Sequence, residues 1–122
     1  MTEREFYTRI GGDYDEALKR MMNDALIKRF VLKFKDDKCY SELKKALDEE
    51  NWDNAFSAAH TMKGVVLNLS FKRLSEKLIS LTDALREQNR MSLEKAVIEE
   101  LFADVRCEYE TVITEIVNLA NC

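Results

Sequence analysis

Proline is absent from this 122-residue chain, and glycine occurs only at Gly11, Gly12 and Gly64. Tight β-hairpins draw on glycine and proline turns, so this inventory argues for helices. Histidine occurs once, at His60, and no Glu-x-x-His run is present. Metal centres inside helical bundles use such pairs from several helices, so a metal-dependent hydrolase is a poor fit and no metal ligands are assigned. No glycine-rich phosphate loop exists either, which argues against ATP binding and autophosphorylation. Cys39, Cys107 and Cys122 are scattered, with no Cys-x-x-Cys spacing, and read as reduced thiols. Basic residues are not in excess: 19 Lys and Arg stand against 23 Asp and Glu, a net charge of −4. Broad contact with nucleic acid or with an anionic membrane surface is therefore not expected. Long apolar runs are missing, and the start Met1-Thr2-Glu3-Arg4-Glu5-Phe6 carries charge where a signal peptide has its apolar core. Together with Met1 and the lack of linkers, this leads to the expectation of a cytoplasmic, unanchored, free-standing protein.

What is present is a mixture of 34% charged and 46% hydrophobic residues, a composition that builds a core and is not that of a disordered chain. The length suits one domain, 1–122. Gly11-Gly12 reads as a loop, with Asp13 as N-cap and Glu16 completing a capping-box pattern before a short helix to about Met21. Asn23 and Asp24 start a second helix whose apolar stripe is Leu26, Ile27, Phe30, Val31 and Phe34. Four longer helices follow, near 38–50, 53–69, 71–88 and 92–120. Phe71, Leu74, Leu78, Leu81 and Leu85 form a bundle seam. Arg86 to Met91 reads as a polar loop, and Ser92 as the N-cap of the last helix. The stripe of that helix is Leu93, Val97, Leu101, Val105, Tyr109, Val112, Ile116 and Leu119. The expected fold is all-α: an antiparallel up-and-down four-helix bundle with two additional short N-terminal helices over one end or side.

His60 lies in the run Ala58-Ala59-His60-Thr61-Met62-Lys63-Gly64. At about 100° per residue, Ala55, Ala58, Met62, Val65 and Leu69 form the core-facing stripe, with Ala59 and Val66 beside it. His60 points away from that stripe. Lys63 and Gly64 straddle it, and Asp53, Phe56, Ser57 and Leu67 share its side. The competing reading is a buried histidine held by hydrogen bonds, for which this face is the wrong one. Gly64 is the most informative neighbour, since a mid-helix glycine costs about 1 kcal/mol relative to alanine. It implies close approach of another helix or of a partner, and its outward position favours a partner. Phe56, Ser57 and Leu67 could add a small docking patch; ordinary partial burial of Phe56 and Leu67 would explain those two as well.

The run His60-x-x-Lys63-Gly64-x-x-x-Asn68-Leu69 resembles the signature of histidine-containing phosphotransfer (HPt) domains, over a region from about Tyr14 to the C-terminus. The resemblance implies an up-and-down bundle with an N-terminal helical cover. It also implies a phosphoryl carrier between aspartates of response-regulator receiver domains, with a hybrid sensor kinase as a further partner. On that match His60 is the phospho-acceptor, Lys63 the phosphate-side cation and Gly64 the residue that gives a partner access. Asn68 and Leu69 match a helix-end motif. Ser70 departs from the family's usual glycine, which puts the turn after Leu69 in question. No cofactor is expected on this chain, and magnesium is expected on the receiver. A monomer suffices for such a carrier. The alternative is an HPt-like module that docks a receiver or kinase without accepting phosphoryl.

Overall fold

Eight helical segments and no strand make up the described residues, 1–121, of the computed structural model; Cys122 lies outside them. The segments are α1 (Glu3–Ile10), α2 (Tyr14–Met21), α3 (Asp24–Phe34), α4 (Cys39–Asp48), α5 (Trp52–Asn68), α6 (Lys72–Leu85), the single turn α7 (Glu87–Arg90) and α8 (Lys95–Ala120). Side-chain caps set four of the eight starts, those of α1, α2, α3 and α5. Asn23 accepts from the Leu26 N–H and Asn51 from the Asn54 N–H, each an N-cap. Asp13 accepts from the Glu16 N–H, but the Glu16 carboxylate does not return to it; it turns instead toward Ser70 and Lys72.

α4, α5, α6 and α8 form the bundle, each packed against the next in chain order. Its core is small on α5, with Ala55, Ala58, Ala59, Met62 and Val66. The other bundle helices are larger there: Leu43 on α4, Leu74, Leu78, Leu81 and Leu85 on α6, and Ile98, Val105, Val112, Ile116 and Leu119 on α8. Three N-terminal helices cover one end, not two. The additional one, α1, is opened by a capping box in which Thr2 accepts from the Glu5 N–H and the Glu5 carboxylate accepts from the Thr2 N–H. Phe6, Tyr7 and Phe34 bring their rings to within 5.5–5.9 Å of Phe71, which sits in the α5–α6 turn.

Other expectations are corrected on the periphery. Residues 87–90 form the helical turn α7 rather than a loop. Ser92 does not cap α8: its hydroxyl donates back to the Asn89 carbonyl, and Glu94 precedes the first helical residue. Leu93 and Val97 are exposed while Ile98 is buried, because the helix starts later than its cap pattern implies and its first turn overhangs the bundle. Phe30 is 44% exposed, with the Lys33 ammonium near its ring.

The end of α5 is the most heavily bonded point in the fold. Ser70 adopts φ +59° and is 1% exposed. The Phe71 N–H donates to Val66 O and the Ser70 N–H to Leu67 O, which is the Schellman pattern usually completed by glycine. The N-terminal helices satisfy the remaining carbonyls. Arg20 donates to Leu67 O, Asn68 O and Ser70 Oγ at 3.0, 2.7 and 3.0 Å. The Tyr7 hydroxyl donates to Leu69 O at 2.8 Å, and the Asp13 N–H to Ser70 O at 2.9 Å. Burial pushes the Tyr7 phenol well above its ordinary range, so it stays a donor. Ser70 Oγ donates to Glu16 Oε1 at 2.9 Å, and Lys72 pairs with the other carboxylate oxygen at 2.7 Å. These two contacts, Lys72 first, hold the Glu16 carboxyl below its usual range.

Two stability measurements follow by urea unfolding. Ser70→Ala should destabilise more than Ser70→Gly, by about 1 kcal/mol, because alanine keeps the left-handed strain while both lose the hydroxyl. Thr82 is fully buried, and its hydroxyl has no hydrogen-bond partner among the described residues. Thr82→Val should therefore raise stability by about 1 kcal/mol.

Candidate functional site

α5 buries its alanine face and leaves the opposite side to solvent. His60 stands exposed on that side, and neither ring nitrogen is hydrogen-bonded among the described residues. Its one ring neighbour is Phe56, a turn earlier, with centroids 5.9 Å apart and planes inclined at 35°. Lys63 is half-buried and has no ion-pair partner among the described residues. Gly64 is exposed, and a Cβ built on it would meet nothing within 4 Å. No neighbouring helix therefore accounts for this glycine. Ser57 is exposed, and Leu67 is 38% exposed on the same side. Phe56 is half-buried, with the Arg86 guanidinium 5.4 Å from its ring centroid, a cation–π arrangement.

Three depressions surround this face. Toward the N-terminus of α5 a cleft of about 350 Å³ is lined by Asp53, Phe56, Ser57, Leu85, Arg86 and Arg90. Arg90 closes its far side by pairing with Asp53 at 3.4 Å. Between α4 and α5 lies a polar groove of about 350 Å³ with Glu42, Lys45, Glu49, Asn54 and Thr61 on its walls. Toward the C-terminus of α5 an apolar groove of about 360 Å³ is formed by Met21, Phe30, Phe34, Val65 and Leu69 and edged by Arg20 and Lys33. Periodicity alone does not find this last groove, since it joins side chains from three helices. Nor does it find Arg86, which lies at the end of another helix. The one sequence signal for the groove is the apolar stripe of α3, Leu26, Ile27, Phe30, Val31 and Phe34, two of which line it.

The arrangement offers an accessible nitrogen nucleophile, a cation one turn away and an unobstructed helix surface next to both. A protein-family model described as Hpt domain matches residues 36–118. The chain belongs to the Hpt domain family. The match takes in α4 to α8 and every candidate residue on the outward side of α5, and it leaves α1 to α3 outside. A search of curated proteins and one of solved structures returned no match. Membership supports a phosphotransfer carrier role in two-component signalling, and Hpt domains are phosphocarrier modules rather than autonomous enzymes. In this Hpt domain no group of three or more His, Cys, Asp or Glu side chains is placed to hold a metal ion among the described residues. No helix among them is long and apolar enough to cross a membrane.

The open space at Gly64 makes a sign prediction. With no contact to violate, Gly64→Ala should stabilise the isolated domain by about 0.5–1 kcal/mol, through helix propensity alone. Thermal or urea unfolding checks it; a loss of stability would mean that the glycine has a packing role.

Proposed function

We propose that this Hpt domain carries phosphoryl between receiver domains on His60. The observation that supports the reading best is the pairing of an exposed, unbonded imidazole with a helix-interior glycine that nothing in the fold requires. In the forward step a ring nitrogen of neutral His60, most simply Nε2, attacks the phosphorus of a receiver's aspartyl phosphate. The N–P bond forms as the bond to the carboxylate oxygen breaks, and the imidazole proton is released. The reverse step hands the phosphoryl to another aspartate. Such transfer depends on alignment and charge stabilisation more than on covalent machinery. Lys63 offsets charge on the phosphoryl oxygens, and Gly64 leaves room for the receiver's active-site edge. Magnesium comes with the receiver. Phe56, Ser57 and Leu67 border the histidine, and the Met21–Phe30–Val65–Leu69 groove extends the docking surface toward the C-terminal end of α5. Residues 1–122 act as one monomeric, cytoplasmic unit serving receivers and a hybrid sensor kinase.

The decisive experiment is incubation with a phosphorylated receiver domain, following acid-labile, base-stable label. Wild type should take up label, and His60→Gln should take up none; equal labelling of the two would overturn the assignment. Gly64→Gln should fold normally by circular dichroism while transfer slows by about 10-fold or more, the usual scale for a misplaced reacting pair. Receiver binding without labelling of wild type would instead make the domain a docking module.

A further inference from the structure

The net charge of −4 is unevenly spread along the chain. From Lys19 to Lys38 seven Lys and Arg stand against three Asp, so this stretch is basic in a chain that is acidic elsewhere. Of the seven, only Arg20 has an ion-pair partner among the described residues; Lys28, Arg29 and Lys33 on α3 and Lys35 at its end have none. Asp24 accepts from the Tyr14 hydroxyl and Asp37 from the Cys39 N–H, so neither is bonded to these cations. α3 buries Ile27, Val31 and Phe34. At about 100° per residue, Leu26, Arg29, Phe30 and Lys33 fall within an arc of about 100° turned away from that stripe. Phe30 is 44% exposed, and Met22, in the corner that leads into α3, is 82% exposed at φ +75°. Unpaired cations and bare apolar side chains thus share one side of the N-terminal cover.

We infer that α3 and the α2–α3 corner bind an anionic lipid surface. The inference stands apart from the reading of His60. Two attractions act together. Cations held near acidic headgroups each add to the attraction, over a range of about one Debye length, roughly 8 Å at physiological salt. A helix is about 10 Å across, so Lys28 and Lys35 on its flank contribute as well as Arg29 and Lys33. At contact, Met22 and Phe30 leave water for the headgroup boundary, while the lysine stems lie along it and keep their ammonium groups among the phosphates. A bilayer fits better than an acidic protein, because the outer side of a helix is convex and its exposed side chains here are long and flexible. A deformable surface meets them without a matching cavity. The helix lies on the bilayer and does not enter it, since no helix among the described residues is long and apolar enough to cross. Phe30 and Lys33 also border the apolar groove beside Val65, so an occupant of that groove and the bilayer compete for them.

The test is co-sedimentation of the whole chain with vesicles of phosphatidylcholine alone, and with vesicles of phosphatidylcholine and phosphatidylserine in equal parts. At low salt the protein should sediment with the mixed vesicles and stay in solution with phosphatidylcholine alone. About 1 M salt, which cuts the Debye length to about 3 Å, should release it. Reversing two charges at the surface, Arg29→Glu with Lys33→Glu, should weaken binding to the mixed vesicles by about 10-fold or more. Lys44→Glu with Lys45→Glu makes the same change in net charge on exposed side chains of α4 and should weaken it by about 3-fold or less, the screened effect of charge away from the contact. Met22→Ser keeps every charge and should weaken it by about 3-fold or more, through lost apolar burial. Circular dichroism checks that each variant is folded. The inference falls if the two vesicle types sediment the protein equally or not at all. It falls as well if the α3 and α4 reversals cost the same, or if Met22→Ser binds like wild type. Retention on immobilised polyglutamate without sedimentation on vesicles would assign the face to an acidic polypeptide and overturn the lipid reading. Labelling of His60 by a receiver is unaffected by any of these outcomes, so the two readings fail separately.

Discussion

The C-terminal end of α5 is the constraint from which the rest of the molecule is built. A helix leaves its last carbonyls without internal partners, and here they lie against α1 and α2, whose donors take them up. Arg20, Tyr7 and the Asp13 N–H supply donors to Leu67, Asn68, Leu69 and Ser70. Phe71, one residue beyond, is the ring against which Phe6, Tyr7 and Phe34 pack. Ala55, Ala58, Ala59 and Met62 of α5 face inward, and His60, about two turns upstream of Asn68, faces outward.

That outward face is built from small departures from what stability alone prefers. Glycine at position 64 weakens the helix with no packing return inside the molecule. The imidazole nitrogens have no partner among the described residues, and Phe56 and Leu67 keep apolar surface in water. Each is minor singly. Their location on one side of one helix, next to the one histidine, is what gives them meaning, because residues that break a local rule tend to gather at functional sites. The surrounding electrostatics agree. Carboxylates near the histidine are tied up or at the rims, while Lys63 has no ion-pair partner among the described residues and Arg86 is held only by a partly exposed aspartate.

Much of this was legible in residues 52–85, where periodicity is strong and uninterrupted. The inward stripe of α5 and the leucine seam of α6 follow from spacing alone, and so does the outward direction of His60. Legibility failed where short-range signals compete. Thr2-x-x-Glu5 closes a complete capping box where Asp13-x-x-Glu16 closes only half of one, yet the charges of Met1 to Phe6 speak in the sequence only against a signal peptide, and an eight-residue helix offers too few turns for a periodic stripe. Ser92 looked like a cap, yet its hydroxyl bonds to the preceding turn, so Leu93 and Val97 fall outside the core. Features that need two or three helices at once were out of reach: the apolar groove beside Val65 and Leu69, and the guanidinium of Arg86 over Phe56. No spacing within a single helix encodes them.

Ser70 and the N-terminal helices form a coupled solution. At φ +59° a serine is strained by roughly 1 kcal/mol relative to glycine, and a glycine there would have been the simpler choice for the turn. Glycine, however, carries no hydroxyl. Ser70 Oγ receives from Arg20 and donates to Glu16, and those two residues are also bonded to each other at 3.4 Å. Arg20 in turn holds Leu67 O and Asn68 O. The strain at one residue is thus exchanged for a bonded network that locks α2 onto the end of the histidine helix. Both Glu16 and Arg20 precede residues 36–118, the span recognised as the family's own. In this Hpt domain the support of the histidine-bearing helix is therefore shared with sequence outside the family pattern, and Ser70 is one of the residues through which the two parts are joined.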